Sequence, residues 1–439
     1  MSLRKQAVSL VIMHASDVVQ PLLLLPFAGR ILGAQHFGEY VYALSIGQVA
    51  ATIVDYGFHW TAQRAAASAR QEPSKLASLL AEVVATKALL CVLVTLAGLA
   101  AANGLLPISR SMFLCAMTNA VGGILFPAWL LIGLERAWQA TLATVIARIV
   151  TFIGFVALVA SPAQVEVAVT VQSSVSLISG LVTLPFVAAI GLEGLRSVTL
   201  SGIARQIVSG SRGFLYSFVE RASTTLPVLL VGYYGGYVAA GQYSIAEKCI
   251  GATRPFFRIM CDTFLPRVAF YAHHDPKAGL RLIWISLSTC VVGAGLSLGL
   301  FILAPYVIPW VFGTSFTGAV SIVRLMSVVP LLINLNLCTS NLYMFNYGHD
   351  RAWSALIAGS LLVFLAVAYL LLLTLSSAAT AVAVAVIAKE AVVLVVSAGF
   401  FLAATIPAMG IAAVMAAPSV PALAHTGRSR SVGSTSNIE

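Results

Sequence analysis

Twelve apolar runs set the limits on what this chain can fold into. They lie near 7–29, 40–62, 79–102, 111–134, 139–160 and 166–190, then near 213–234, 241–265, 280–304, 318–345, 353–374 and 378–404. An α-helix rises 1.5 Å per residue, so about 20 residues cross the ~30 Å hydrocarbon core of a bilayer. The runs therefore predict an all-α membrane protein with twelve transmembrane helices. Composition closes the alternative. Only 9% of the 439 residues are charged and 59% are hydrophobic, whereas a soluble domain carries about 25% charged residues to cover its surface.

The loops predict an orientation. With the N-terminus in the cytoplasm, fifteen of the 25 Lys and Arg fall in inner loops and tails, and only Arg30 and Arg110 lie outside. That is a strong positive-inside bias. Both termini are then cytoplasmic, and the net charge of +10 needs no nucleic acid to explain it. Six spans precede a basic connection at 191–212 and six follow it, so the expected units are 1–190 and 213–405. The tail, 406–439, turns to Ala, Pro, Ser and Gly and reads as disordered and cytoplasmic. The segment 305–318 reads as the longest outer connection.

The two halves echo each other. At an offset of 203 residues, Gly38 meets Gly241, Tyr40 meets Tyr243 and Ala43 meets Ala246; Arg64 meets Arg267, Pro73 meets Pro276, and Asp17 meets Glu220. An ungapped register of this length signals internal duplication. Because each half has an even number of spans, the pseudo-two-fold axis runs along the membrane normal, with a central cavity between two six-helix bundles.

Eight cations remain inside the runs: Lys87, Arg148, Arg221, Lys248, Arg254, Arg258, Arg324 and Lys389. Each costs roughly 3 kcal/mol at a lipid-facing helix centre. Eight would cost on the order of 20 kcal/mol, more than the stability of a typical fold. Most must face protein or a wet cavity. Adjacent residues on a helix point about 100° apart, so Glu220 with Arg221, Glu247 with Lys248 and Glu390 with Lys389 are not expected to bridge one another, while Glu82 could neutralise Lys87. Helical spacing aligns Ser45, Gln48, Thr52, Asp55 and His59 in one stripe, and Glu247, Gly251, Arg254, Arg258 and Asp262 in another. The two stripes are expected to face each other across the cavity. Asp17 before Pro21, and Glu220 before Pro227, pair a carboxylate with a residue that frees backbone carbonyls. That arrangement suits a coupling proton or sodium ion, making Asp17, Asp55 and Glu220 candidates for coupling or gating.

Other chemistry is missing. The six cysteines sit inside apolar runs without metal-ligand spacing and read as packing residues. No Walker A sequence, no H-E-x-x-H and no loop large enough for a catalytic domain is present, so no enzyme, metal or cofactor is expected. His273 and His274 beside Asp275 read as solvated loop residues.

The stretch RILGAQHFGEYVYALSIGQVAATIVDYGFHWTAQRAAASAR (30–70), through Arg30, Leu32, Gly33, Phe37, Gly38, Tyr40, Asp55, Gly57 and Arg64, resembles the bacterial Wzx-type polysaccharide-unit flippases. These belong to the multidrug/oligosaccharidyl-lipid/polysaccharide exporter superfamily. AGQYSIAEKCIGATRPF (240–256) is similar to the matching family pattern, including Tyr243, Ala246 and Lys248. The resemblance implies alternating access by two bundles in the bacterial inner membrane. The implied cargo is an oligosaccharide on undecaprenyl pyrophosphate, with a polysaccharide polymerase and a chain-length regulator as partners. An acidic cargo fits the cationic spans, and the eight cations, led by Arg221, Lys248, Arg254, Arg258 and Arg324, are the candidate head-group contacts. The nearest rival is a multidrug/cation antiporter of the same superfamily, which should present acids and aromatics instead. A peptidoglycan-precursor flippase would carry two more spans. A membrane glycosyltransferase or polymerase would need a catalytic loop.

Overall fold

A computed structural model describes residues 3–102, 104–188 and 198–409. The described residues form helices and no strand. In chain order these are α1 (Leu3–Asp55), α2 (Phe58–Ser68), α3 (Pro73–Ala101), α4 (Arg110–Leu125), α5 (Ala128–Gly133), α6 (Ala137–Leu158), α7 (Val165–Ser173) and α8 (Val175–Ala188). The second half has α9 (Leu200–Gly251), α10 (Arg254–His274), α11 (Pro276–Ser286), α12 (Cys290–Phe312), α13 (Gly318–Met326), α14 (Val329–Asn336), a π-helical stretch Leu337–Met344, α15 (Asp350–Thr374) and α16 (Ala378–Met409).

Helix starts follow local chemistry. Ser109 accepts a hydrogen bond from the Met112 amide and Thr199 from the Gly202 amide, capping α4 and α9. Pro73 and Pro276, at matched positions of the repeat, open α3 and α11; a proline there forfeits no helical hydrogen bond.

Among the described residues nine helical stretches are long and apolar enough to cross a membrane. The first, Val8–Ser68, has 61 residues and would measure about 90 Å if straight, three membrane thicknesses. It kinks at Gly33, whose φ of 69° and ψ of 173° interrupt α1. Gly236 does the same in α9, with φ 78° and ψ 177°. Only glycine occupies this backbone region readily, and 33 and 236 differ by the offset of 203 read from the sequence. The charged α9–α10 stretch is not among the nine, but it bends as the first does. Counting two passes for each bent stretch is consistent with twelve.

Three boundaries differ from expectation. The connection expected over 191–212 is already helical from Leu200, because Thr199 caps it and Gly202, Gln206 and Gly210, spaced four apart, pack against Glu82 and Tyr56 of the first half. Residues 189–197 lie outside the described residues, as do 410–439, most of the expected tail; α16 runs to Met409. The outer connection expected over 305–318 is mostly helix, since α12 runs through Pro305 and Pro309 to Phe312.

The repeated G-x-Y-x-x-A motif marks the contact between the halves. α1 and α9 pack against each other more extensively than any other pair of elements. At Gly38 a Cβ would collide with the Tyr237 backbone carbonyl, and one on Gly241 would stand 3.3 Å from the Gly38 Cα. Small residues let membrane helices approach this closely. Tyr40, Tyr243, Ala43 and Ala246 are all buried there, and Phe37 meets Phe316 edge to face at 5.3 Å. This end, with both kinks, shares one apolar core. Toward the opposite end the core divides. One cluster holds Phe58, Leu76, Leu80, Trp129 and Leu130 of the first half. The other holds Val268, Leu280, Ile283, Leu342 and Phe401 of the second. The start of α9 packs on the first-half side: Tyr56 stacks on Phe214 at 4.7 Å, and Glu82 accepts hydrogen bonds from Arg205 (2.7 Å) and Gln206 (2.8 Å).

Candidate functional site

The intramembrane cations fall into distinct groups. Two are neutralised within the first half. Lys87, buried on α3, lies 2.7 Å from Asp55 Oδ1 at the end of α1 and also donates to the Gly123 carbonyl at 3.3 Å. Arg148 on α6 donates to Asp17 Oδ1 at 2.5 Å and to Gln20 Oε1 at 3.1 Å, and Gln172 of α7 closes the network on Gln20. Glu82 is thus not the partner of Lys87; it anchors Arg205 and Gln206 instead.

The second half concentrates charge around Arg254. Lys248 Nζ pairs with Glu247 Oε2 at 2.9 Å. Lys389 pairs with Glu390 at 3.0 Å. Adjacent residues therefore do meet here, against the expectation from helical geometry; the long lysine stem spans the angle between neighbours. Asn336 donates to Glu390 Oε2 at 2.8 Å and to the Glu390 carbonyl at 3.1 Å. Arg254 begins α10, just past the break at Ala252–Thr253, and acts electrostatically on both Glu247 and Glu390. Its Nε is buried without a hydrogen-bond partner. It borders a void of about 10 Å³ lined also by Thr224, Tyr243, Glu247 and Met326, room for about one water. Two acids face three bases here, leaving one positive charge in excess.

Beside this group lie exposed charges. Arg258 keeps 70% of its side chain exposed and only approaches Asp262, at 3.7 Å. Arg221 is exposed too, and Glu220 and Arg258 both act on the Tyr216 phenol. Among the described residues neither Glu220 nor Arg221 forms an ion pair. Exposed charge inside a span is tolerated where it meets water rather than lipid. Arg324 stands apart: it donates to the Phe301 carbonyl at 3.2 Å and sits over the Phe301 ring at 5.2 Å, held on α12.

The expected pair of facing stripes is only half realised. The turn at Tyr56–Gly57 puts His59 on α2, Ser45 and Thr52 bond to their own helix carbonyls, and Asp55 turns to Lys87. Of the second stripe, Arg254, Arg258 and Asp262 lie on α10 beyond the break at Ala252–Thr253, and Arg254 lines the same void as Glu247.

Two contributors lie outside the expected set. Asn334 and Asn336 are buried, and Nδ2 of the first and Oδ1 of the second have no partner. The π-helical stretch Leu337–Met344 follows at once; such widened turns often accompany functional sites. Two amides two residues apart in an apolar run, LLINLNL, were the available signal.

Comparison with known proteins identifies the fold and the family. A relative from Escherichia coli (strain K12), provisionally named an O-antigen transporter, is 27% identical over 381 residues, covering 84% of this chain and 89% of its own. A protein of the same provisional name from Shigella dysenteriae is 22% identical over 368 residues, covering 84% and 92%. Among solved structures, an inward-facing multidrug resistance MATE family transporter of the MOP superfamily matches with a TM-score of 0.69 at 14% identity, covering 90% of this chain and 98% of that one. The lipid II flippase MurJ, inward closed, matches with 0.59 at 12% identity, covering 90% of each. The fold is therefore that of these transporters. Residues 3–269, more than half the chain, match the profile described as polysaccharide biosynthesis protein, and the chain belongs to that family.

Proposed function

We propose that the protein is a flippase. Its cargo is an acidic oligosaccharide repeat unit on undecaprenyl pyrophosphate, moved from the inner to the outer leaflet of a bacterial cytoplasmic membrane for surface polysaccharide assembly. The observation that carries this reading is Arg254: a guanidinium nitrogen buried without a partner, in a cluster with one base more than its acids. A pyrophosphate or sugar carboxylate would fill that donor and cancel that charge, with the bidentate geometry arginine favours. The family match, the O-antigen transporter names of the relatives and the fold shared with a lipid II flippase support the cargo class.

The mechanism follows from the packing. The halves, 1–190 and 213–405, share a core at the kink end and have separate cores at the other, which favours rocking about the α1–α9 crossing as alternating access. The loop charges favour an orientation with the kink end outside and both termini in the cytoplasm. Lys248, Arg254, Arg258, Lys389 and Arg221 then meet the head group while the polyprenyl chain stays in lipid. Lys87 and Arg148 hold the first half together, and Arg324 braces α12. Of the acids, Asp17 and Asp55 are committed to cations, so Glu220 is the site for a coupling proton or sodium ion. The cargo leaves chemically unchanged, for a polymerase and its chain-length regulator to use.

The test is complementation of a deletion strain. Arg254→Gln should leave the protein in the membrane, abolish surface polysaccharide and accumulate lipid-linked repeat units on the cytoplasmic leaflet. Normal polymer from this variant contradicts the assignment. A deletion strain with intact polymer and altered drug susceptibility would favour the antiporter reading instead.

A further inference from the structure

At the kink end the halves are tied by two hydrogen-bonding contacts that answer one another. Arg30, three residues before Gly33, donates Nε to the Val311 carbonyl at 2.9 Å and a second N–H to the Trp310 carbonyl. Tyr237, next after Gly236, donates its hydroxyl to the Pro107 carbonyl. Pro107 and Trp310 are 203 residues apart, as are Gly33 and Gly236. Each half thus offers the same backbone carbonyl, and each receives a donor from beside the other half's kink. The acceptors occupy matched positions; the donors, an arginine and a tyrosine, do not.

The acceptors are groups that need a partner. Trp310 and Val311 lie in the last turn of α12, whose carbonyls have no intrahelical donor, and a cation there also complements the helix dipole. Pro107 lies in the connection between α3 and α4. Arg30 is exposed and Tyr237 half-buried, so both contacts sit at a rim that water reaches. Water replaces such bonds at little cost when the surfaces part, unlike the apolar contacts of Phe37 with Phe316 beneath them.

We propose that Arg30 and Tyr237 are paired latches that hold the kink end of the two halves shut, and that both must release before the halves separate there. The moment of release rests on the alternating-access reading; the closure itself can be tested without cargo. Spin labels at Leu105 and Ser315, in exposed connections of opposite halves, would report the gap in a variant with its six native cysteines replaced. The parent should show mainly one short distance. Arg30→Ala and Tyr237→Phe should each raise the ratio of long to short distances about 5-fold, and together about 25-fold, as the loss of one exposed hydrogen-bonding contact at a time implies. Arg30→Lys, which keeps a donor, should lie nearer the parent. Tyr237→Phe keeps the ring against Tyr42, so it folds even if an Arg30 variant does not. Distance distributions unchanged in Tyr237→Phe and in the double variant would overturn the proposal. Shifted distances in a protein that moves no lipid-linked sugar would keep the latches and reject the flippase reading.

Discussion

Gly38 and Gly241 lie back to back where α1 crosses α9, so close that a methyl group on Gly241 would stand 3.3 Å from the Gly38 Cα. They hold matched places in the repeat, which makes the crossing the structural axis of the molecule. The two sites are not equally tight. A Cβ on Gly38 would run into the Tyr237 backbone, which cannot rotate away, whereas one on Gly241 meets the Phe37 ring at 3.2 Å. Gly38→Ala should therefore destabilise the protein by about 2 kcal/mol or more and Gly241→Ala by less. Thermal unfolding in detergent checks the order.

The kink glycines predict a different kind of cost. A Cβ on Gly33 or Gly236 would have nothing within 4 Å, yet both have positive φ. Alanine there strains the backbone without a clash. Each substitution should cost about 1–3 kcal/mol, and the two costs should be similar because the dihedrals are similar. The same unfolding measurement applies, and a marked difference between the two would show that the kinks are not equivalent.

The Asp55–Lys87 pair is asymmetric, with side-chain exposures of 38% and 4%. Asp55→Asn strands a buried ammonium and should cost about 3 kcal/mol, near the lower end for broken buried pairs. Lys87→Met leaves only a half-exposed carboxylate and should cost about half that. Combining the two should recover most of the loss. A double-mutant cycle by denaturation reads the coupling.

Glu82 is buried and holds Arg205 and Gln206 at the start of α9. Glu82→Ala should free the first turns of α9 while leaving the α1–α9 crossing intact. Hydrogen exchange would then speed up over residues 200–212 and stay slow over 237–250.

Much of this architecture was legible in the sequence because membrane folding uses local signals. Run length marked the apolar stretches, and the offset of 203, read from other residues, also relates the kinks at Gly33 and Gly236 and the helix starts at Pro73 and Pro276. The motif glycines sat where backbones touch. Partner choice was less legible. Which acid meets Lys87 depends on how α1 ends at Tyr56–Gly57, a left-handed turn with φ values of 46° and 74° that no periodicity announces. Helical angles argued against Glu247 with Lys248 and Glu390 with Lys389, but a lysine stem is long enough to override them. Asn334 and Asn336 escape a reading based on charge, because an amide in an apolar run carries none, although burial makes an unpaired amide costly.

The most direct test of the account is flipping in vesicles of defined lipid. Purified protein would be reconstituted with an undecaprenyl-pyrophosphate-linked acidic oligosaccharide, and an added glycosidase would report how much sugar reaches the opposite leaflet. The account predicts rapid transfer by the parent protein and at least a 10-fold slower rate for Arg254→Gln, with Lys87→Met and Arg148→Gln affected mainly through stability. Transfer by Arg254→Gln at the parent rate, or no transfer by the folded parent, would contradict it.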